Sequence, residues 1–267
     1  MKKLFILFIV LILCVSTNIG CSSPSDNTSP TWISQKNPAS DQSPLASICG
    51  TSSSDVFAVG AQGTIIHYNG KGWSNMTSGT TNDLLGVWCS SSSDVFVVGH
   101  KGTILHCNGK IWSQMVSGTA VDIGRVWGTS SSDVYALVTG GIILHYDGSA
   151  WNSMTSGTTD SLQCIWGSSS SDVFAVGVLG TIMHYDGNMW SGMTSGTTYP
   201  LLGVWGSSSS DVFVVGAQDT ILHYDGNVWT NMTKGATNNI LEGVWGSSPS
   251  DVFAVDSSGI ILHYSKK

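Results

Sequence analysis

Six histidines, His67, His106, His145, His184, His223 and His263, each follow an aspartate by twelve residues: Asp55, Asp94, Asp133, Asp172, Asp211 and Asp251. Imidazole and carboxylate in a fixed pairing are the groups of acid–base catalysis and of metal ligation. The spacing argues against both. The aspartates recur at intervals of 39, 39, 39, 39 and 40 residues, so the pair is copied into every unit of a repeat. Catalysis needs one asymmetric constellation, whereas a group present identically in each unit supports the unit. Histidines related by rotation about an axis lie many ångströms apart, while the ligands of one ion must all lie about 2 Å from it. The expectation is a partly buried histidine hydrogen-bonded to a nearby Ser or Asp or stacked on an aromatic ring, with the aspartate accepting local backbone amides. Neither a metal nor a cofactor is expected.

The polar residues that break the repeat are His100, Lys101, Arg125, Tyr199, Asp219, Lys234, Glu242 and Asp256. No two of them have motif spacing, and Glu242 is the only glutamate, so paired-carboxylate glycoside chemistry has no evident candidate. We therefore expect no enzymatic activity and no catalytic residues.

The unit that carries these residues can be written L-x-G-V-W-G-S-S-S-S-D-V-F-A-V-G-x-x-G-T-I-L-H-Y-D-G-N-x-W-x-x-M-T-S-G-T-T. It contains four short apolar runs rich in Val, Ile, Phe, Tyr and Trp, too short for helices and right for strands. They are a (L-x-G-V-W), b (D-V-F-A-V), c (T-I-L-H-Y) and d (x-W-x-x-M). Four strands per roughly 40 residues is the period of a propeller blade. In Val95-Phe96-Val97-Val98 neighbours that point to opposite faces are all apolar, as stacked blades require. Asp147-Gly148, Asp186-Gly187, Asp225-Gly226, Asn69-Gly70 and Asn108-Gly109 supply tight c–d hairpins, and the serine runs join a to b. The fold class is thus all-β: a six-bladed β-propeller with four-stranded blades of about 39 residues. The sixth copy stops after His263-Tyr264-Ser265 without strand d, and Trp32-Ile33-Ser34-Gln35 is a strand d with no blade before it. The ring is expected to close through this N-terminal outer strand.

Charged residues make up only 10% of the 267, the net charge is −7, and Arg125 is the single arginine. Nucleic acid, which needs clustered Lys and Arg, is excluded as a partner. Lys2 and Lys3 followed by the apolar run Leu4 to Val15 have the form of a signal peptide over residues 1–20. Asn18-Ile19-Gly20-Cys21 then resembles a lipobox, with Asn18 where an aliphatic residue is usual; acylation with fatty acid such as palmitate falls on Cys21. Residues 21–31 form a lipidated cysteine and flexible tether, and residues 32–267 form the propeller. Cys49, Cys89, Cys107 and Cys164 replace different consensus residues, which names no disulfide pair.

The run G-V-W-G-S-S-S-S-D-V-F-V-V-G at 203–216, together with G-T-I-x-H-Y-D-G-x-x-W in copy four, resembles the repeats of exported bacterial β-propeller lipoproteins of the GVWGSSxSDVFAVG type. More distantly it is similar to photosystem-assembly-factor and Asp-box propellers. The resemblance covers residues 32 to 267 and implies the architecture and a membrane-anchored place outside the cytoplasm, at the cell surface or in the periplasm. A sialidase activity does not transfer. Asp225-Gly226-Asn227-Val228-Trp229 is shorter than an Asp-box and lacks its threonine, and one arginine cannot make a three-arginine site.

Comparing the copies separates scaffold from variable positions. The a–b turns are monotonous serine. The b–c tips and d–a connections differ from copy to copy and should emerge on one face, where loops on a rigid frame carry binding residues. Gln62, His100, Lys101, Asp122, Leu179, Tyr199, Gln218 and Asn239 are the binding candidates on that face. The function expected is protein binding by a monomeric, lipid-anchored scaffold. The alternative is a carbohydrate-binding propeller that stacks one sugar per blade on exposed strand-d tryptophans.

Overall fold

The computed structural model describes residues 34–39, 43–233 and 239–265. The signal segment, Cys21, the tether, Trp32 and Lys234 lie outside the described residues. The repeat folds into six consecutive antiparallel sheets. The first contains β1 (Leu45–Ser52), β2 (Asp55–Gly60), β3 (Ile65–Tyr68) and β4 (Trp73–Met76), and the second β5 (Leu84–Ser91), β6 (Asp94–Gly99), β7 (Ile104–Cys107) and β8 (Trp112–Gln114). The third contains β9 (Ile123–Ser130), β10 (Asp133–Val138), β11 (Ile142–Tyr146) and β12 (Trp151–Met154), and the fourth β13 (Leu162–Ser169), β14 (Asp172–Gly177), β15 (Ile182–Tyr185) and β16 (Trp190–Met193). The fifth contains β17 (Leu201–Ser208), β18 (Asp211–Gly216), β19 (Ile221–Tyr224) and β20 (Trp229–Asn231), and the sixth β21 (Leu241–Ser248), β22 (Asp251–Asp256) and β23 (Ile261–Ser265). Each sheet is a simple meander in sequence order.

The first strands of successive sheets pack on one another, β1 on β5, β5 on β9, β9 on β13, β13 on β17 and β17 on β21. This is the inner ring of a six-bladed propeller, and the apolar core lies between blades. One cluster joins Phe57 and Val59 of the first blade to Leu84, Val95 and Val97 of the second. Another joins Phe96 and Val98 to Val134 and Leu144 of the third. Val95, Phe96, Val97 and Val98 have no exposed surface, which is why strand b carries apolar side chains on both faces.

Strand a is longer than its apolar run. It reaches into the serines, so that Ser207 and Ser208 belong to β17 and only Ser209 and Ser210 form the turn. The turn is held by side chains, with the Ser210 amide 3.4 Å from Ser208 Oγ. In the c–d hairpins, Gly70, Gly109, Gly148, Gly187 and Gly226 have φ between 86° and 94°, the left-handed region that selected glycine there.

Asp147, Asp186 and Asp225 open three of these hairpins, and all three carboxyls are held below the ordinary range. Asp147 accepts the Ser149 hydroxyl first and then the amides of Ala150 and Ser149. Asp186 accepts the amides of Met189 and Asn188, and Asp225 those of Val228 and Asn227. A carboxyl depressed by folding contributes stability above its unfolded pKa of about 3.9, and that contribution is lost as pH falls through the folded value. The melting temperature should therefore fall as the pH drops below about 4. Replacing the three by asparagine should blunt the fall, because Asn69 Oδ1 already accepts the equivalent amides of Lys71 and Gly72 in the first blade. Melting curves of both proteins from acid to neutral pH check this.

The expected closing strand falls partly on Trp32 and Ile33, outside the described residues. Ser34 and Gln35 carry no strand, and the sixth sheet has three strands among the described residues. No packing comparable to the other five junctions joins β21 to β1.

Candidate functional site

The repeated histidine is bound by its own blade. His67, His106, His145, His184, His223 and His263 each place Nε2 2.7 or 2.8 Å from Oδ1 of the aspartate twelve residues earlier. The second carboxylate oxygen accepts a hydroxyl from the end of strand a: Thr51, Ser90, Thr129, Ser168, Ser207 or Ser247. The imidazole lies against the strand-b ring, as in Phe57–His67 at 4.4 Å and Tyr135–His145 at 4.5 Å. The aspartate thus accepts a hydroxyl and an imidazole rather than the backbone amides expected of it. Each hydroxyl is directed at the carboxylate rather than at the imidazole. Among the described residues no group of three or more His, Cys, Asp or Glu is arranged to hold a metal ion.

In each blade the b–c tip meets the approach to strand a. The first tip residue of every blade donates its amide to a carbonyl of a strand-a approach: Ala61 to Pro44, His100 to Asp83, Thr139 to Asp122, Val178 to Ser161, Ala217 to Pro200 and Ser257 to Ile240. The tip glycine packs beneath. A methyl group on Gly180 would lie 2.0 Å from the Thr197 carbonyl oxygen, and the same clash meets Gly63 and Gly102 at Thr80 and Thr119.

The residue before that glycine is left-handed at Gln62, Lys101 and Leu179, with φ of 54°, 56° and 56°, and in the fifth blade Gln218, at 58°, precedes Asp219, itself at 53°. The residue type varies while the backbone stays fixed, so these four candidates are one structural position presented four ways. In the third blade Gly140 takes it, with φ of 91°.

Other candidates brace the tips. Asp122 Oδ1 accepts the Lys101 amide at 2.9 Å, and Asp122 Oδ2 lies 2.9 Å from His100 Nδ1. Burial pushes the Asp122 carboxyl up, but the Lys101 amide, the His100 hydrogen bond and the nearby His100 and Lys101 side chains bring it net below its ordinary value. Asp83, which the sequence reading left out, does the same for the Gln62 amide at 2.8 Å. Its signal was the position it shares with Asp122 before strand a. Asn239 accepts the Asp219 amide through its carbonyl and donates from Nδ2 to Asp256. It holds the fifth tip, beside Gln218, to the sixth.

Leu179 and Tyr199 come together without such a bracing role. They line one cavity of about 560 Å³ with Met193, Ser195 and Thr197, and they are 67% and 49% exposed. The second and third blades repeat the cavity with other walls: Lys101, Met115 and Val116 around about 620 Å³, and Ile142, Met154 and Asp160 around about 640 Å³. Three equivalent grooves on one rim thus differ in charge and apolarity.

The described outer-strand tryptophans, Trp73, Trp112, Trp151, Trp190 and Trp229, are buried or half-buried. Trp151 and Trp190 turn their indole N–H inward to Met115 and Met154 sulfur.

No family model matches the chain, and no curated protein does. Solved structures match in fold. The YCF48 protein from Cyanidioschyzon merolae aligns with a TM-score of 0.60 at 13% identity, over 84% of this chain and 95% of its own. The C-terminal WD40 domain of Sif2 aligns with a TM-score of 0.67 at 12% identity, over 84% of this chain and 70% of its own. The fold of this chain is that of the β-propellers.

Proposed function

We propose that the chain is a non-enzymatic scaffold that presents the tip face of its propeller to another protein, tethered through Cys21 to a membrane outside the cytoplasm. The observation that carries the binding reading is Leu179. It is a bulky residue held at φ 56° and 67% exposed, beside an exposed tyrosine. A left-handed non-glycine backbone costs about 1–2 kcal/mol, and the fold does not need leucine there, since Gly140 fills the same place in the third blade. An exposed, strained apolar residue in a groove supports a contact with a partner. The adjoining grooves, with Lys101 in one and Asp160 in the next, suit an extended segment of a protein that carries both an apolar and a charged side chain. The basic, apolar N-terminus and the Cys21 context support the tether.

A photocrosslinking residue at Tyr199, with a control at Ser208 on the opposite face, tests the reading in the native cell. A discrete protein adduct from Tyr199, lost when Leu179 is changed to Asp, is the expected result. Adducts from Ser208 alone overturn the assignment of the face.

A further inference from the structure

The c–d hairpins leave the sheets at the end opposite the tips, alongside the serine turns. In each hairpin the residue just before the outer-strand tryptophan sits in the turn: Gly72, Ile111, Ala150, Met189 and Val228. Ile111, Met189 and Val228 are 62%, 64% and 57% exposed. The turn does not require a large apolar side chain, since glycine and alanine fill it in the first and third blades. Blades related by rotation set one register position at one height along the propeller axis. The three apolar side chains therefore reach a common plane, the shape that a bilayer surface presents.

Each of the three has its backbone groups bonded inside its own hairpin. Ile111 donates its amide to Asn108 Oδ1 at 3.3 Å, and Met189 and Val228 donate theirs to Asp186 and Asp225 Oδ1 at 2.9 Å. Their carbonyls accept the amides of Asn108, Asp186 and Asp225. Such a residue enters an apolar layer without carrying an unpaired amide or carbonyl into it, which is the condition lipid imposes on a backbone. Lys71 and Lys110 hold the preceding hairpin position in the first two blades, and both are exposed, as is Lys36. The chain also enters at this end. Trp73, beside the first hairpin, donates to Gln35 Oε1 at 2.6 Å, Asn75 Nδ2 donates to the Pro38 carbonyl at 3.1 Å, and Pro44 then meets the tip at Ala61. Residues 34–39 thus run along β4 from the hairpin that carries Lys71 towards the tips, and Ser34 stands thirteen positions after Cys21.

We propose that the hairpin face is a lipid-contact surface: Ile111, Met189 and Val228 enter the interfacial layer of a bilayer, and Lys36, Lys71 and Lys110 meet its anionic headgroups. The inference rests on the Cys21 tether and takes it further. A chain anchored at Cys21 and entering at this end lays the hairpin face against the membrane and points the tips away from it, towards a partner. Asp147, Asp186 and Asp225 turn their carboxylates back on their own hairpin amides and keep the other three described hairpins acidic. The attraction to an anionic surface therefore falls on the first two blades, where the chain comes in from its anchor.

A photocrosslinking residue placed at Ile111, at Val228 or at Leu179 of the chain purified from the native cell, and mixed with vesicles of phosphatidylethanolamine and phosphatidylglycerol, tests it. Flotation with the vesicles reads the tether, and lipid adducts measured by mass spectrometry read the face. Adduct yields from Ile111 and Val228 several-fold above that from Leu179 are the expected result. A chain that floats but gives equal yields at the three sites, or the highest at Leu179, overturns the hairpin face and leaves the tether standing. A chain that does not float overturns the tether and this inference with it. A protein adduct of twice the chain's mass from Ile111 or Val228, in place of lipid, overturns the inference in favour of a second copy.

Discussion

Replacing Phe96 by alanine should lower the unfolding free energy by about 3–5 kcal/mol, the range for truncating a fully buried aromatic. Phe96 has no exposed surface. It meets His106 of its own blade at 4.4 Å, and Tyr146 and Trp151 of the next at 5.6 and 6.2 Å. Its removal opens a cavity at a junction and withdraws the ring against which His106 is set. Phe253 is the same position in the sixth blade and is half-buried, with His263 at 4.1 Å as its described ring partner. With the ring open, Phe253→Ala should cost clearly less than Phe96→Ala. With Trp73 brought edge-on to it by closure, the two costs should converge. Chemical denaturation of both variants measures the difference directly.

The parts of this fold that were legible in the chain are those set by short-range chemistry repeated often enough to average out exceptions. Glycine at a hairpin position that needs positive φ, and apolar residues on both faces of strand b, mark the blade in every copy. The extent of strand a was misread because serine is a weak strand former. What extends the strand is a hydroxyl to carboxylate bond, Ser207 to Asp211, which no local propensity reports. The aspartate was assigned to local amides for a similar reason. Its real partner sits on the neighbouring strand, where strand b sets Phe213 opposite His223. On the tip face, variability between copies groups the loops but does not separate presentation from bracing. Leu179 and Asp122 both vary, yet one is held out into solvent and the other is folded back on the Lys101 amide. That distinction depends on where a side chain points, which only three-dimensional placement supplies.

The disulfide is the clearest case of information that needed the packing first, and it carries the last prediction. Read singly, Cys49 replaces a tryptophan and Cys89 a glycine, and nothing pairs them. In the later blades the strand-a tryptophan lies against the strand-a glycine of the next, so that a methyl group on Gly167, Gly206 or Gly246 would meet Trp127, Trp166 or Trp205 at 2.6 Å, and the two substitutions become one exchange at one junction. The bond spans 40 residues, and the chain-entropy cost of closing a loop of that length corresponds to about 4 kcal/mol. Changing both cysteines to serine should lower stability by that order, with the first blade and its packing on β5 loosened first. It also leaves neither an indole nor a bond at the junction. Changing Cys49 to Trp and Cys89 to Gly removes the same bond but writes the repeat's own contact into the gap, and should recover part of the loss. Equal stability of the serine and tryptophan–glycine variants would mean that the indole on glycine contributes nothing at this junction. Recovery would mean that a covalent tie and an aromatic lid are alternative solutions to one packing problem.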